Sequence, residues 1–385
     1  MSGDLEQEYF ADGITEEIIT ALSHLRTFPV TARNSSFTYK GQAVRPQRLA
    51  EELGVSYVLE GSVRKAAGRV RVTAQLIDAR SGLHLWAERY DRSLDDVFGI
   101  QDEITLRIAL ALQPELAEAE LRKGQLKRTD NLNAWDHYLR GISLLAQHTC
   151  SGNSEARAHF QQSIDLDATY GDAWAGVGWS HLRDYDLKCK DNLNESLGLG
   201  FKAAQQGVKL AERSALTHYV LSTVYMWREQ ISLSLNELDR TLQLNPYFAR
   251  AHLARGNRLD LAGRSIEGIA ALRQALELNP RDPERHTYLS FLSRALLVHG
   301  SSEEALQFID HAVVIAPENP DMLYRLAVCL AKLDRVEEAR DALSRCEAMR
   351  PGFLALRRSW RPYNDDERNA LFFAGMDRHG LRILS

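Results

Sequence analysis

Between residues 55 and 90, apolar and polar side chains alternate in three short runs that are separated by turns. In the run at 69–78, the apolar positions are Val70, Val72, Ala74 and Leu76. Alternation with a period of two is typical of a strand that buries one of its faces. The runs at 55–65, 69–78 and 83–90 therefore predict a three-stranded antiparallel meander.

Helical patterns flank this meander. Residues 13–25 carry apolar side chains every three or four positions, which is the period of an amphipathic helix. Residues 46–53 predict a second helix that begins at a proline and ends at Gly54. Residues 28–32 predict a short strand, and residues 91–121 predict a closing helix. Together these elements indicate a small α+β domain.

The rest of the chain repeats a corner at intervals of 34 residues. Pro246 and Pro280 are 34 residues apart, as are Pro317 and Pro351, and a similar corner without proline lies at Glu212. A proline-marked period of 34 with small residues inside each unit resembles the tetratricopeptide repeat (TPR), which is a pair of helices. Stacked pairs form a solenoid whose concave face holds another molecule. The resemblance therefore implies a binding protein.

The predicted fold is mainly α, with a small N-terminal α+β domain followed by an α-helical TPR solenoid. The predicted divisions are the α+β domain (1–121), a linker (122–132), six TPR-like repeats (133–351) and a capping helix with a tail (352–385). Small residues let the two helices of a pair approach closely, and large ones fill the remaining space. The small positions are Gly141, Gly178, Gly256 and Ala327, and the large ones are Phe160, Leu238, Leu272 and Phe308.

The first helix of each pair is expected to line the concave face, and its side chains define a candidate partner-binding groove. The groove residues are Trp179, Tyr219, Thr223, Arg250, Asn257, Phe291, Arg294 and Tyr324. Aromatic side chains would supply contact area, while the two arginines and the asparagine could orient a peptide carbonyl or carboxylate. The alternative interpretation is that each of them is an ordinary solvated surface residue.

Charge narrows the choice of partner. Of 385 residues, 47 are Lys or Arg and 52 are Asp or Glu, which gives a formal net charge of −5. This balance provides no electrostatic basis for binding nucleic acid. The sequence contains no run of about 18 apolar residues, so we expect no direct membrane insertion. We expect a protein or peptide partner, and a homodimer is left open.

The sequence contains no recognisable catalytic or metal-binding motif. A P-loop, an HExxH helix and a GxSxG elbow are all absent, and the 12 histidines are scattered. The cysteines at positions 150, 189, 329 and 346 have no metal-binding spacing, so we interpret them as small buried side chains in a reduced protein. We therefore expect no catalytic residues, cofactor or metal, and no enzyme activity in this chain.

Four phrases near the N-terminus resemble the TolB amino-terminal-like domain. They lie at residues 8–17, 32–41, 57–64 and 85–91. That domain commonly precedes TPR arrays in bacterial signalling proteins, among them class III adenylate or guanylate cyclases and winged-helix regulators. The family has a further strand just before the segment that begins here at Met1. The resemblance therefore implies an unpaired sheet edge and either a native chain that is longer at its N-terminus or a natural fragment.

Three functional interpretations follow. The chain is a non-catalytic interaction or scaffold module, as the regulatory or sensory part of a bacterial signalling protein. Alternatively, it is the regulatory half of a class III adenylate cyclase whose catalytic domain lies upstream of Met1, which the ending around Pro362 and Tyr363 also resembles. The third interpretation is the effector half of a winged-helix transcription regulator. As written, the sequence favours the cytoplasm, whereas a membrane-anchored parent would place it in the periplasm.

Overall fold

Helices make up most of the chain, and one small sheet lies near the N-terminus. The computed structural model describes residues 5–24, 29–112, 131–189 and 192–381. These residues group into two units, residues 1–248 (unit 1) and residues 249–385 (unit 2), and each unit is described by itself. The predicted fold class, mainly α with a small three-stranded antiparallel sheet, is confirmed.

The sheet in unit 1 is a meander with the strand order β1-β2-β3. Its strands are β1 (Tyr57–Ala66), β2 (Arg69–Asp78) and β3 (His84–Ser93), and both pairs are antiparallel. The alternation along β2 decides which face is buried, since Val70 and Val72 are at most 3% exposed while Arg69 and Arg71 are exposed. The prediction is therefore correct in the number of strands, in their order and in the face of β2 that is buried.

Helices precede and follow this sheet in the chain. They are α1 (Leu5–His24), α2 (Arg33–Phe37), α3 (Pro46–Leu53) and α4 (Val97–Leu112). Helix α1 packs against β1 and α4, and α4 packs against β2 and β3. The apolar stripe of α1 faces inward, with Ile14, Ile18 and Leu22 at most 7% exposed.

One prediction for this region needs correction, and the start of one helix is now defined. The strand predicted at residues 28–32 is wrong for its described part, residues 29–32, which have no regular structure. The carbonyl of Ala32 instead accepts hydrogen bonds from the amides of Ser35 and Ser36 in α2. The closing helix, predicted within 91–121 with its cap near Ser93 or Asp95, begins at Val97, because β3 extends to Ser93 and a short 3-10 turn that Ser93 caps lies between them. Residues 113–130, with the end of that helix and most of the linker, lie outside the described residues.

Six helix pairs follow in the described chain from residue 131 onward. The pairs are α5 (Leu132–Leu145) with α6 (Cys150–Leu166), α7 (Gly171–Asp186) with α8 (Leu193–Leu210), α9 (Ala215–Trp227) with α10 (Ile231–Leu244), α11 (Ala249–Leu261) with α12 (Ser265–Leu278), α13 (Arg285–His299) with α14 (Ser302–Ile315), and α15 (Pro320–Lys332) with α16 (Val336–Met349). The helices α17 (Phe353–Arg357) and α18 (Asp366–Arg378) come last.

A small residue facing a large one sets the spacing within a pair. A Cβ atom at Gly141 on α5 would lie 2.5 Å from the ring of Phe160 on α6. In unit 2, a Cβ atom at Gly256 on α11 would lie 2.6 Å from Leu272 on α12. Both large side chains are fully buried, so any side chain at the glycine would force the helices apart.

The N-terminal elements and the first helix pair share one core within unit 1. The rings of Phe10 and Phe98 meet Trp135 of α5 edge-on, with centroids 5.5 and 5.1 Å away. Tyr9 donates a hydrogen bond from its hydroxyl to Asp136. The predicted division between an α+β domain and the repeats therefore does not coincide with a gap in packing.

The cysteines depart from the sequence interpretation. Cys150, at the start of α6, forms a disulfide with Cys189, which follows α7, and their Cα atoms are 5.5 Å apart. Their spacing of 39 residues gives no sequence signal, but the packing of α6 against α7 brings the two ends together. Cys329 and Cys346 are free and buried, as expected. The interpretation of Cys150 and Cys189 as buried, reduced side chains is therefore wrong.

Candidate functional site

A row of aromatic rings in unit 1 is formed by Trp179 on α7, Tyr219 on α9 and Phe248, which lies in the turn after α10. Trp179 stacks on Tyr219 with centroids 5.3 Å apart and planes 29° apart, and Tyr219 contacts Phe248 at 4.9 Å. Trp179 and Phe248 are half-buried, whereas Tyr219 is 9% exposed. The row therefore offers the edges of two rings that a third, buried ring holds in place.

Polar groups border this row. Arg183 lies one turn after Trp179 on the same helix, and its guanidinium is 5.9 Å from the Trp179 ring, a cation–π geometry. Thr223 lies one turn after Tyr219, and its hydroxyl donates to the Tyr219 carbonyl at 3.1 Å. Residues four apart share a helix face, so the three predicted groove residues of unit 1 do lie together.

In unit 2, the predicted groove residues Asn257 and Arg294 meet at a buried carboxylate, Asp260. Arg294 on α13 donates from Nε to Asp260 Oδ2 at 2.9 Å and from Nη2 to Asn257 Oδ1 at 2.7 Å. Asp260 is 0% exposed, Arg294 6% and Asn257 8%. Burial by itself would lower the pKa of Arg294, but the Asp260 carboxylate outweighs it and holds that pKa above its ordinary value.

The aromatic members in unit 2 surround cations. The ring of Phe291 lies 5.5 Å from the Arg294 guanidinium and 5.9 Å from that of Arg325. Tyr324 is 1% exposed and meets Trp360 edge-on at 6.1 Å. Burial lowers the pKa of Arg325 to about 9, and the neighbouring Arg294 charge adds to the shift. Arg250 is half-buried near Tyr288. Burial raises the pKa of Tyr288, and the positive charge of Arg250 opposes part of that shift.

Three of the five predicted groove residues of unit 2 are therefore not presented on an open surface. Arg294 and Tyr324 are buried beneath residues 353–381, which we call the C-terminal segment, and Asn257 is buried beside Arg294. Helix α18 of this segment packs against α15 and α13, with Phe372, Phe373 and Met376 at most 1% exposed. The predicted capping helix is present at Asp366–Arg378, and its apolar face packs on these first helices.

The residues that hold the segment in place were missed by sequence reasoning. Tyr363 donates from its hydroxyl to Asp260 Oδ2 at 2.9 Å, and Arg368 donates from Nη2 to Asp260 Oδ1 at 2.9 Å. Ser265 also donates to Asp260, at 2.9 Å. A single acid among apolar positions of a first helix, at Asp260, was the one signal in the sequence. Its partners in the C-terminal segment, Tyr363 and Arg368, are more than 100 residues away and gave none.

Comparison with known proteins supports the repeat fold. Tetratricopeptide repeat models match residues 253–320 and 296–356. The crystal structure of the APC/C hetero-tetramer Cut9-Hcn1 is similar over 72% of this chain and 52% of its own, with a TM-score of 0.50 and 16% identity. A TPR protein of Thermus thermophilus covers 51% of this chain and 98% of its own, with a TM-score of 0.41 and 22% identity. The helix pairs therefore form a TPR solenoid, as predicted.

One curated relative is similar to more than half of this chain. The chain is 40% identical over 235 residues to a protein of Rhizobium meliloti (strain 1021) named "Putative adenylate cyclase 3". The match covers 60% of this chain and 39% of the relative, so the chain spans well under half the length of that protein. In the described residues, no helix combines the length and apolar character needed to cross a bilayer.

Proposed function

We propose that this chain is a non-catalytic module that binds a protein or peptide partner on the face formed by its first helices. The observation that carries the proposal is the row of Trp179, Tyr219 and Phe248 in unit 1. Half-buried aromatic rings held by a buried neighbour are typical of binding hot spots, because little conformational entropy is lost when a partner covers them. The TPR solenoid supports the same conclusion, since such solenoids use this face for binding.

A paired substitution tests the row. Trp179→Ala removes the outer ring, and Leu233→Ala removes an exposed side chain from the second helix α10, where Leu233 is 44% exposed. Each full-length variant is used to capture partners from lysate of the cells that express the chain. We expect the Trp179 variant to lose about tenfold in yield of the captured partners, with the Leu233 variant unchanged. Equal yields from both variants would contradict the proposal.

We further propose that the chain is the regulatory part of a class III adenylate cyclase, with a TolB-like domain ahead of the repeats. The similarity to the Rhizobium protein supports this, together with the phrases at residues 8–17 and 85–91. An antibody raised against residues 213–351 tests it by measuring the mass of the endogenous protein. A band much larger than 43.5 kDa is expected, and a band at that mass would show that the chain acts alone as an adaptor.

The disulfide favours the periplasmic alternative for the location of this part. Cys150 is exposed and Cys189 half-buried, and an accessible disulfide persists only where the surroundings are oxidising. We therefore propose that the repeats face the periplasm in a membrane-anchored parent protein. The redox state of the endogenous protein, described below, tests this.

A further inference from the structure

The first-helix face of unit 2, formed by α11, α13 and α15, is covered by the chain itself. The C-terminal segment leaves the last pair through α17, which packs against α16, and then turns so that α18 packs against α15 and α13. Its side chains reach back as far as Asp260 on α11. The segment thus crosses three successive first helices, the surface on which TPR solenoids hold their ligands.

The C-terminal segment supplies two of the four side chains that donate hydrogen bonds to the buried carboxylate of Asp260. Asp260 accepts hydrogen bonds from Arg294 and Ser265, which belong to the helix pairs, and from Tyr363 and Arg368, which belong to the segment. Arg368 Nη2 also donates to the Asp260 backbone carbonyl at 2.7 Å. A buried carboxylate is costly unless it is paired and hydrogen-bonded, so this face requires donors from whatever covers it.

Aromatic contacts define the rest of the interface. Trp360 lies edge-on to Tyr324 of the first-helix face at 6.1 Å and to Phe372 of its own segment at 6.0 Å. Tyr363 is 2% exposed, and its ring lies 5.5 Å from the guanidinium group of Arg294 and 4.5 Å from that of Arg368. Edge-on rings and cation–π pairs of this kind add to the apolar area that is buried.

The segment also holds its own shape. Asn369 donates from Nδ2 to the Tyr363 carbonyl at 2.7 Å and accepts from the Tyr363 amide at 3.2 Å. Asp365 caps α18 by accepting from the Arg368 amide at 3.0 Å. These local bonds fix the tyrosine and the arginine relative to one another, so the pair that meets Asp260 is presented by a short stretch of chain.

We propose that the first-helix face of unit 2 is a peptide-binding site and that the C-terminal segment is its resident, displaceable ligand. A partner that takes its place carries a tyrosine five residues before an arginine, with a tryptophan three residues before the tyrosine, as in Trp360, Tyr363 and Arg368. The proposal rests on the proposed peptide-binding function and names the partner's chemistry for unit 2. Because the resident ligand is tethered, its effective concentration is in the millimolar range, so it closes the site to weak competitors.

A synthetic peptide of residues 358–378, labelled with fluorescein, serves as the probe. It is titrated against the full-length wild type and against the full-length double variant Tyr363→Phe, Arg368→Gln, which removes the hydroxyl and the guanidinium that the resident segment places on Asp260. Fluorescence anisotropy reports binding. We expect the peptide to bind the double variant at least about 30-fold more tightly than the wild type, and a peptide with the same two substitutions to bind neither.

Hydrogen exchange of the α18 amides in the same variant shows whether the face has opened. We expect exchange at least about tenfold faster than in the wild type, because two anchors are lost. Unchanged exchange, or faster exchange without tighter peptide binding, overturns the proposal. Arg378→Gln is the control, because it breaks only the exposed pair of Arg378 with Asp334, at 2.8 Å, and should leave α18 closed.

A second variant uncovers the first-helix face of unit 2 without changing any residue of the Asp260 cluster. Gly375→Ala places a methyl group against the Ala331 backbone and forces α18 away from α15 while leaving Asp260 and Arg294 untouched. The peptide should bind this variant more tightly than the wild type as well. The two proposals are separable, because the capture test with Trp179→Ala probes unit 1, whereas the peptide titration reads only unit 2.

Discussion

Tyr363 donates a hydrogen bond from its hydroxyl to Asp260 across 103 residues of sequence, at 2.9 Å. Burial raises the pKa of Tyr363 to about 12, so the hydroxyl keeps its proton at neutral pH and remains a donor. Through this bond and that of Arg368, the last helix is fixed to the first helix pair of unit 2. The stability of the C-terminal segment should therefore depend on a residue far upstream.

Asp260→Asn should destabilise unit 2 by about 3–5 kcal/mol, because it leaves the Arg294 and Arg368 guanidinium groups without their shared carboxylate. Hydrogen exchange of the amides in α11–α18 of the full chain measures the effect. The matched control is Asp334→Asn, since Asp334 pairs with Arg378 at an exposed position and its loss should have a much smaller effect. Equal effects of the two substitutions would show that the Asp260 cluster does not hold unit 2 together.

Gly375→Ala and Gly198→Ala should have opposite effects. Both glycines lie inside helices, but a Cβ at Gly375 meets the backbone of Ala331, whereas a Cβ at Gly198 has nothing within 4 Å. The first substitution should destabilise the packing of α18 by about 1–3 kcal/mol, and the second should be neutral or stabilise α8 by up to about 1 kcal/mol. Local hydrogen exchange in α18 and α8 distinguishes them, and protection of α18 that survives the first substitution would contradict this packing.

Removal of the disulfide by Cys150→Ser with Cys189→Ser should lower the free energy of unfolding of unit 1 by about 2–4 kcal/mol, as expected for a bridge that closes a loop of this length. Thermal unfolding with and without reductant provides the check. The wild type should shift on reduction and the double variant should not. Mass spectrometry of alkylated endogenous protein should find Cys150 and Cys189 protected, and alkylation of both without prior reduction would contradict the periplasmic proposal.

The contact of His159 with His137 predicts a pH dependence. Their Nδ1 atoms are 3.0 Å apart, and burial, aided by the charges of His137 and Arg140, lowers the pKa of His159 below 6.5. The folded protein therefore binds this proton less readily than the unfolded chain. The stabilising contribution is complete above about pH 6.5 and declines as the pH falls towards the folded pKa.

His159→Gln should flatten this decline below about pH 6.5, as measured by the thermal midpoint of the full chain at each pH. Asp136 and Glu155 also face His159, and their negative charges oppose the lowering of its pKa. Any pH dependence of stability that remains in the variant therefore comes from acidic residues. His84→Gln, at an exposed position of β3, is the control and should keep the wild-type slope. Identical slopes for the wild type and the His159 variant would contradict the assigned role of this contact.

Local patterns predicted the elements well. The alternation at Val70 and Val72, the proline and glycine that bound α3, and the 34-residue corners each depend on neighbouring residues, so one sequence contains the information. The bridge between Cys150 and Cys189 and the ion pair between Arg368 and Asp260 depend on which helices pack together. No spacing rule encodes that choice, because the partners are brought together only by the stacking of the pairs.

The candidate site was predictable in part for the same reason. The register of the repeats correctly brings Trp179, Tyr219 and Thr223 together on first helices. It could not show that Arg294 and Tyr324 are covered, since the covering residues lie in a segment outside the repeat. Burial of these two residues means that substituting them would test folding of unit 2 as much as binding.

Site-specific photo-crosslinking tests the central claim, partner binding on the first-helix face, most directly. A benzophenone amino acid replaces Thr223, on the first helix α9, or Leu233, on the second helix α10, in the full-length chain inside the cells that express it. We predict a crosslinked protein partner from position 223 and none from position 233. Crosslinks from both positions in equal yield, or from position 233 alone, would contradict binding on this face.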